Sequence, residues 1–161
     1  MRLRLGVLAV AFSCLAATSG RVTVLPPIAG DWLTEGADGV IQIGPCPQGL
    51  CGRIVGIARG PTEPMPVDVH GRPQCGLTIL TINPEPEGGV WHGQVTDPRN
   101  GKVYNAELRI NPRGRLLMRG YIGIPLLGQT QVWQRFIGRF SGECRFIQGN
   151  GPQGAQTDAT H

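Results

Sequence analysis

Between residues 102 and 110 the side chains alternate. Tyr104, Ala106, Leu108 and Ile110 fall on one side of an extended chain, and Val103, Asn105, Glu107 and Arg109 on the other. A period of two with one polar face marks a strand that lies on a core and faces water. Shorter β-rich runs predict further strands at 30–34, 39–43, 51–58, 76–82, 90–96, 115–122 and 129–137, which makes eight in all. No segment sustains the 3.6-residue period of an amphipathic helix. Glycine and proline, 25 and 14 of the 161 residues, punctuate these runs and so read as turn formers. The stretch Asp97-Pro98-Arg99-Asn100-Gly101-Lys102 holds an Asn-Gly pair, which supplies the positive φ a tight turn needs. Asn111-Pro112-Arg113-Gly114 is a second turn, and Ile124-Pro125-Leu126-Leu127-Gly128 a third, unusually apolar one. Antiparallel strands joined by short turns close most economically into a barrel, which removes exposed edges. The expected fold is therefore all-β, an eight-stranded antiparallel up-and-down β-barrel over residues 28–137. Eight strands leave an interior that either fills with side chains or holds one small ligand.

One polar set stands out near the end of this barrel. Arg119 and Tyr121 share a face of one strand, and Gln129, Gln131, Trp133 and Arg135 share a face of the next. Pointing inward, they would give a polar interior with Arg119 available to an anionic headgroup; pointing outward, they would form a cross-strand surface ladder. Leu116, Met118, Gly120 and Ile122 on the opposite face favour the outward arrangement. Residues 59–74 carry Pro61, Pro64, Pro66 and Pro73 and no strand pattern, which suits either a lid over a site or a stiffened surface excursion. Residues 138–148 read as a C-terminal extension, and the polar, Gly-rich tail 149–161 as disordered.

The N-terminus changes how the rest is counted. Arg2 and Arg4 precede a short apolar run from Leu5 to Phe12, and small residues follow from Ala16 to Gly20. That order is a secretory signal peptide, residues 1–20, and the run is shorter than the roughly 20 residues of a membrane-spanning helix. Cys14 as the acylated residue of a lipoprotein fits less well, because Ala11-Phe12-Ser13 lacks the usual Leu, so no lipid anchor is expected. The mature protein is then periplasmic or secreted, with no transmembrane segment. Without Arg2 and Arg4 the 15 basic residues fall to 13 against 11 acidic ones, and they are scattered, so nothing indicates a nucleic-acid partner.

Cys46, Cys51, Cys75 and Cys144 remain after export, an even number in an oxidising compartment. Cys46 and Cys51 flank a turn-like Pro47-Gln48-Gly49-Leu50, and residues across a hairpin neck reach disulfide distance, which leaves Cys75 to pair with Cys144. A metal site is disfavoured because the spacing is not CxxC and no histidine is near. Other chemistry is sparse. Ser141 is the only serine beyond the cleavage region, and His70, His92 and His161 lie in unrelated contexts. Neither a nucleophile elbow nor a phosphate-binding glycine loop is present, so no enzyme and no cofactor are expected. An enzyme would require Asp68, His70 and Arg119 to converge in one pocket.

Six motifs in order carry a family resemblance: Gly30-Asp31-Trp32-Leu33-Thr34, Cys51-Gly52-Arg53-Ile54-Val55, Cys75-Gly76-Leu77, Asp97 through Tyr104, Arg119-Gly120-Tyr121-Ile122-Gly123 and Gly128 through Arg135. Over about residues 28–136 the chain resembles an exported bacterial family known as domain of unknown function 2147. The resemblance implies a lipocalin-like barrel of unsettled function. Members often show an Asp followed by an Asn-Pro element in the long loop, where this chain has Asp68-Val69-His70-Gly71-Arg72-Pro73. By analogy with lipocalins, Gly30 and Trp32 on the first strand would meet Arg135 on the last, the guanidinium stacking on the indole as a structural staple. The implied function is binding of a small apolar or amphipathic ligand in the cell envelope, with Asp68, Arg119, Tyr121 and Trp133 as candidate contacts. The alternative is a filled barrel that acts through its surface. An interior of about 300 Å³ or more would favour the first.

Overall fold

The computed structural model describes residues 24–148. The expected signal peptide with Cys14, and the expected disordered tail with His161, lie outside the described residues. Eight strands form in chain order: β1 Gly30–Leu33, β2 Gly39–Cys46, β3 Gly49–Ile57, β4 Thr78–Ile82, β5 Trp91–Thr96, β6 Val103–Ile110, β7 Leu116–Tyr121 and β8 Gln129–Arg135. Each pairs antiparallel with the next. Pairing of Trp32 on β1 with Arg135 on β8 closes the barrel. The alternation in β6 follows the expected faces, with Ala106 and Leu108 buried and Asn105 and Arg109 exposed.

Closure gives the barrel two unlike ends. The β2–β3, β4–β5 and β6–β7 connections lie at the base. There Trp32, Ile43, Leu80, Ile82, Leu108 and Leu116 are almost wholly buried. Residues 24–29 cross this base and set Ile28 into it. The indole Nε1 of Trp32 donates to the Ile28 carbonyl at 2.8 Å. Arg135 donates to the carbonyls of Ala29 and Pro27 at 2.6 and 2.5 Å, and its guanidinium carbon sits 3.8 Å from the centroid of the Trp32 ring. Stacking and two charge-assisted bonds thus hold the entering chain to the closing strand. Gly30 is fixed by the same contact: its φ is +119°, and a Cβ there would overlap the Arg135 guanidinium.

Residues 138–148 are not a bare extension. They form a hairpin, β9 Gly138–Ser141 and β10 Arg145–Gln148, whose β10 runs parallel to the free end of β3 at Ile57. Phe140 and Phe146 are cross-strand partners and stack with Phe136 at 5.1 and 5.5 Å. They lie against Val40 and Gly56 on the outside of the barrel. An extra residue in β3, Val55, shifts the register there, so that Gly56 pairs with Val40 beneath this cluster while Ile54 pairs with Ile41 in the core. The strands are four residues each with no alternation to betray them, and aromatic packing rather than pattern makes them. Cys46 is bridged to Cys51 across the β2–β3 neck, with Cα atoms 5.8 Å apart. Cys75 is bridged to Cys144 at 5.9 Å and so ties the tip of the hairpin to the chain just before β4. Beside it Arg59 donates to the Glu143 carbonyl at 2.7 Å and to its carboxylate at 3.2 Å.

Candidate functional site

The opposite end of the barrel is open. Four connections reach it: the β1–β2 turn with Glu35 and Asp38, the long β3–β4 connection with Gln74, the β5–β6 turn with Asp97 and Arg99, and the β7–β8 turn with Ile122 and Leu127. Between them the interior widens into a cavity of about 1100 Å³. Its walls are mixed: Ile41, Ile54, Ile57, Ile79, Val95 and Met118 are apolar, Tyr104 and Trp133 give aromatic faces, and Gln129 and Gln131 bring amides to the same interior. Gly120 contributes bare backbone, and a side chain there would have its nearest neighbour 3.8 Å away. A concave space of this size that joins apolar and aromatic walls to a few polar groups has the form of a small-molecule site.

The rim is stiffened by its own turn chemistry. Asp97 accepts from the Arg99 backbone N–H at 2.9 Å, the Arg99 Nε at 3.0 Å and the Asn100 side chain at 3.1 Å. These bonds, with that from the Arg99 guanidinium first, outweigh partial burial and hold the Asp97 carboxyl below the usual range. The same partner raises Arg99 above its ordinary value, with Asp38 adding to the effect. Across the mouth the Thr34 hydroxyl donates to Asp38 at 2.5 Å. The charged side chains on the cavity lining are thus Glu35, Asp38, Asp97 and Arg99, and the one cation is held by one of the acids.

The β7–β8 ladder divides the polar set that the sequence pattern groups together. Leu116, Met118 and Gly120 pair with Trp133, Gln131 and Gln129, while Leu117 and Arg119 pair with Val132 and Thr130. Partners share a face, and here even-numbered residues of β7 meet odd-numbered residues of β8. Gln129, Gln131 and Trp133 therefore belong to the interior face and Arg119 to the exterior. Trp133 is buried in the cavity wall, its Nε1 donating to Gln131 at 2.7 Å. Tyr121 lies at the rim and also lines the cavity. Arg119 is turned away from it and braces the β7–β8 turn from outside, donating to the Pro125 carbonyl at 2.7 Å, the Leu126 carbonyl at 3.2 Å and the Thr130 hydroxyl at 2.8 Å.

Asp68 is not among the lining residues either. It is buried inside the long loop, where it accepts from the backbone of His70 and Arg72 at 2.9 and 2.8 Å and from the Arg72 Nε at 2.8 Å. Burial alone would raise its carboxyl; the Arg72 and His70 bonds and the Arg72 charge prevail and hold it below the usual range. The loop is pinned beside the mouth by the Val69 N–H, which donates to the Pro98 carbonyl at 2.9 Å, and of residues 59–74 Gln74 alone lines the cavity. None of Asp68, His70 and Arg119 lines this cavity. Of the four candidate contacts, the structure brings Tyr121 and Trp133 together at the cavity and leaves Asp68 and Arg119 outside it. The acidic rim residues were missed by the sequence reading, and only their position on two turns of one barrel end would have marked them.

The profile of a family described as "Uncharacterized protein conserved in bacteria (DUF2147)" matches residues 30–135. No curated protein matches the chain. Among solved structures, one titled "Protein HP1028 from the human pathogen Helicobacter pylori belongs to the lipocalin family" aligns with a TM-score of 0.56 at 14% identity, over 68% of this chain and 82% of that one. At that identity the likeness shows the fold, which is lipocalin-like.

Proposed function

The chain belongs to the bacterial family of uncharacterized proteins DUF2147, and we propose that it is an exported binding protein that holds a small apolar or amphipathic molecule in its barrel. The observation that carries this reading is the cavity of about 1100 Å³, closed at the base by packed side chains and open between the turns at its mouth. A filled barrel acting only through its surface would leave no such space. The lipocalin-like fold is compatible with the same reading, since an eight-stranded barrel that is not filled by side chains has room for one small ligand. Two disulfides fit an oxidising compartment, in keeping with a periplasmic or secreted location.

The rim adds a statement about the headgroup. Glu35, Asp38 and Asp97 face the opening, and Arg99 is engaged by Asp97. Arg119, the residue that would have met a carboxylate, is spent on the β7–β8 turn outside. A neutral or cationic head suits this mouth better than a fatty-acid anion. The test is quenching of the Trp133 region by apolar probes, with native mass spectrometry of gently purified protein. A neutral or cationic amphiphile should bind and displace the probe more strongly than a fatty acid of equal chain length. No retained species and no probe uptake would refute the binding reading.

A further inference from the structure

The β7–β8 turn is the most apolar exposed segment at the mouth. From Ile122 to Gly128 it carries no side chain that can hydrogen-bond or ionise. Leu126 and Leu127 are 82% and 77% exposed, and Ile122 and Ile124 are more than half exposed. A soluble surface rarely keeps four large apolar side chains together in water unless something apolar covers them.

Its backbone is prepared in a way water does not require. The Leu127 and Gly128 N–H groups donate to the carbonyls of Ile124 and Pro125 at 3.2 and 2.9 Å. Pro125 has no N–H to satisfy. Arg119 reaches from the barrel wall to the carbonyls of Pro125 and Leu126. The carbonyls of Ile124, Pro125 and Leu126 are thus satisfied from within while the side chains point out, which lowers the cost of moving this turn from water into the interfacial zone of a bilayer. The apolar surface also runs inward, because Ile122 and Leu127 are on the cavity lining as well as the outside.

We propose that this turn dips into the surface of a phospholipid bilayer and sets the mouth of the cavity against it. Arg119 acts as a positioning residue that shapes the turn for that contact. A second copy is the poorer occupant, since joining two such tips would bring two rims bearing Glu35, Asp38 and Asp97 together. The same acids give no attraction to anionic lipid, so the contact is apolar in origin and only weakly dependent on salt. The inference concerns the outer turn and does not require the cavity to be loaded.

Flotation of the purified protein with zwitterionic phosphatidylcholine vesicles tests it. Wild-type protein should float with the vesicles at low and high salt, and Leu126→Asp should reduce the floated fraction by about tenfold, whereas Leu126→Met should retain it. Leu126→Trp should shift its emission to the blue on vesicle addition and be quenched by brominated lipid. Leu126 lies outside the core, so unchanged near-ultraviolet circular dichroism will certify each variant as folded. Absence of wild-type flotation, equal flotation of Leu126→Asp, or a vesicle-free dimer abolished by Leu126→Asp without lipid binding would each overturn the proposal. Probe uptake measured without vesicles reads the cavity alone, so failure here and failure of the binding reading are distinguishable.

Discussion

Two glycines on the barrel's inner face meet opposite surroundings. Towards the base, a Cβ on Gly52 would come within 2.6 Å of the Leu80 side chain, so the absent methyl is what lets Leu80 fill the core. Towards the mouth, a Cβ on Gly120 would find its nearest neighbours at 3.8 and 3.9 Å, on Val95 and Tyr104. The base has traded backbone freedom for packing density, whereas the mouth keeps volume unfilled. The contrast teaches that one continuous sheet divides its labour along the strand axis. The base holds the fold, which frees the mouth to carry a cavity and an exposed apolar turn.

The largest test of that division is at Trp32. Its ring is wholly buried and holds both Ile28 and Arg135. Trp32→Ala should lower the unfolding free energy by about 3–5 kcal/mol in urea titration. A loss below about 1 kcal/mol would mean that the base is not the stabilising end. The glycine pair comes next. Gly52→Ala should cost about 1–3 kcal/mol through overpacking against Leu80. Gly120→Ala should stay within about 0.5 kcal/mol, and Gly120→Phe should abolish probe uptake while leaving the melting curve nearly unchanged. Equal destabilisation by the two alanines would erase the comparison.

The smallest effect is confined to acid. Asp68 has its carboxyl depressed in the folded state, so the stability it contributes is present above the unfolded carboxylate value of about 3.9 and is lost as pH falls through the lower folded value. Amide exchange in residues 66–74 should therefore quicken below about pH 4 while the base stays protected. In Asp68→Asn that acid step should be missing and the loop faster at neutral pH. Asp97 titrates in the same direction but on the β5–β6 turn, so the location of the exchange separates the two.

The strands were legible because their chemistry is local. Alternation in β6, the Asn100-Gly101 turn and the glycine-punctuated runs each act over a few residues, and all eight barrel strands lie where those signals put them. The Trp32–Arg135 stack was legible once closure was assumed, because the first and last strands then become neighbours. The site was only half legible. Which face of β7 meets which face of β8 depends on how many residues the apolar turn consumes, and that count put Arg119 outside and Trp133 inside. The C-terminal hairpin was illegible for another reason: Phe136, Phe140 and Phe146 make a structure only where Val40 on β2 and Gly56 beyond the β3 bulge give them a surface to cover.

Under the export proposed above the chain would cross a membrane N-terminus first, and the placement of the two disulfides would then have a kinetic meaning. Cys46 and Cys51 are five residues apart and emerge together, so they can oxidise before any other thiol has arrived. Cys75 then has no free rival among the thiols already delivered and must wait until Cys144 follows, 69 residues later. Pairing in order of delivery yields the native connectivity, and the second bond can close only after β4 to β8 have entered the folding compartment. An exported chain oxidised in that order would have little need of an isomerase to correct wrong bonds, and its final locking step would follow completion of the barrel.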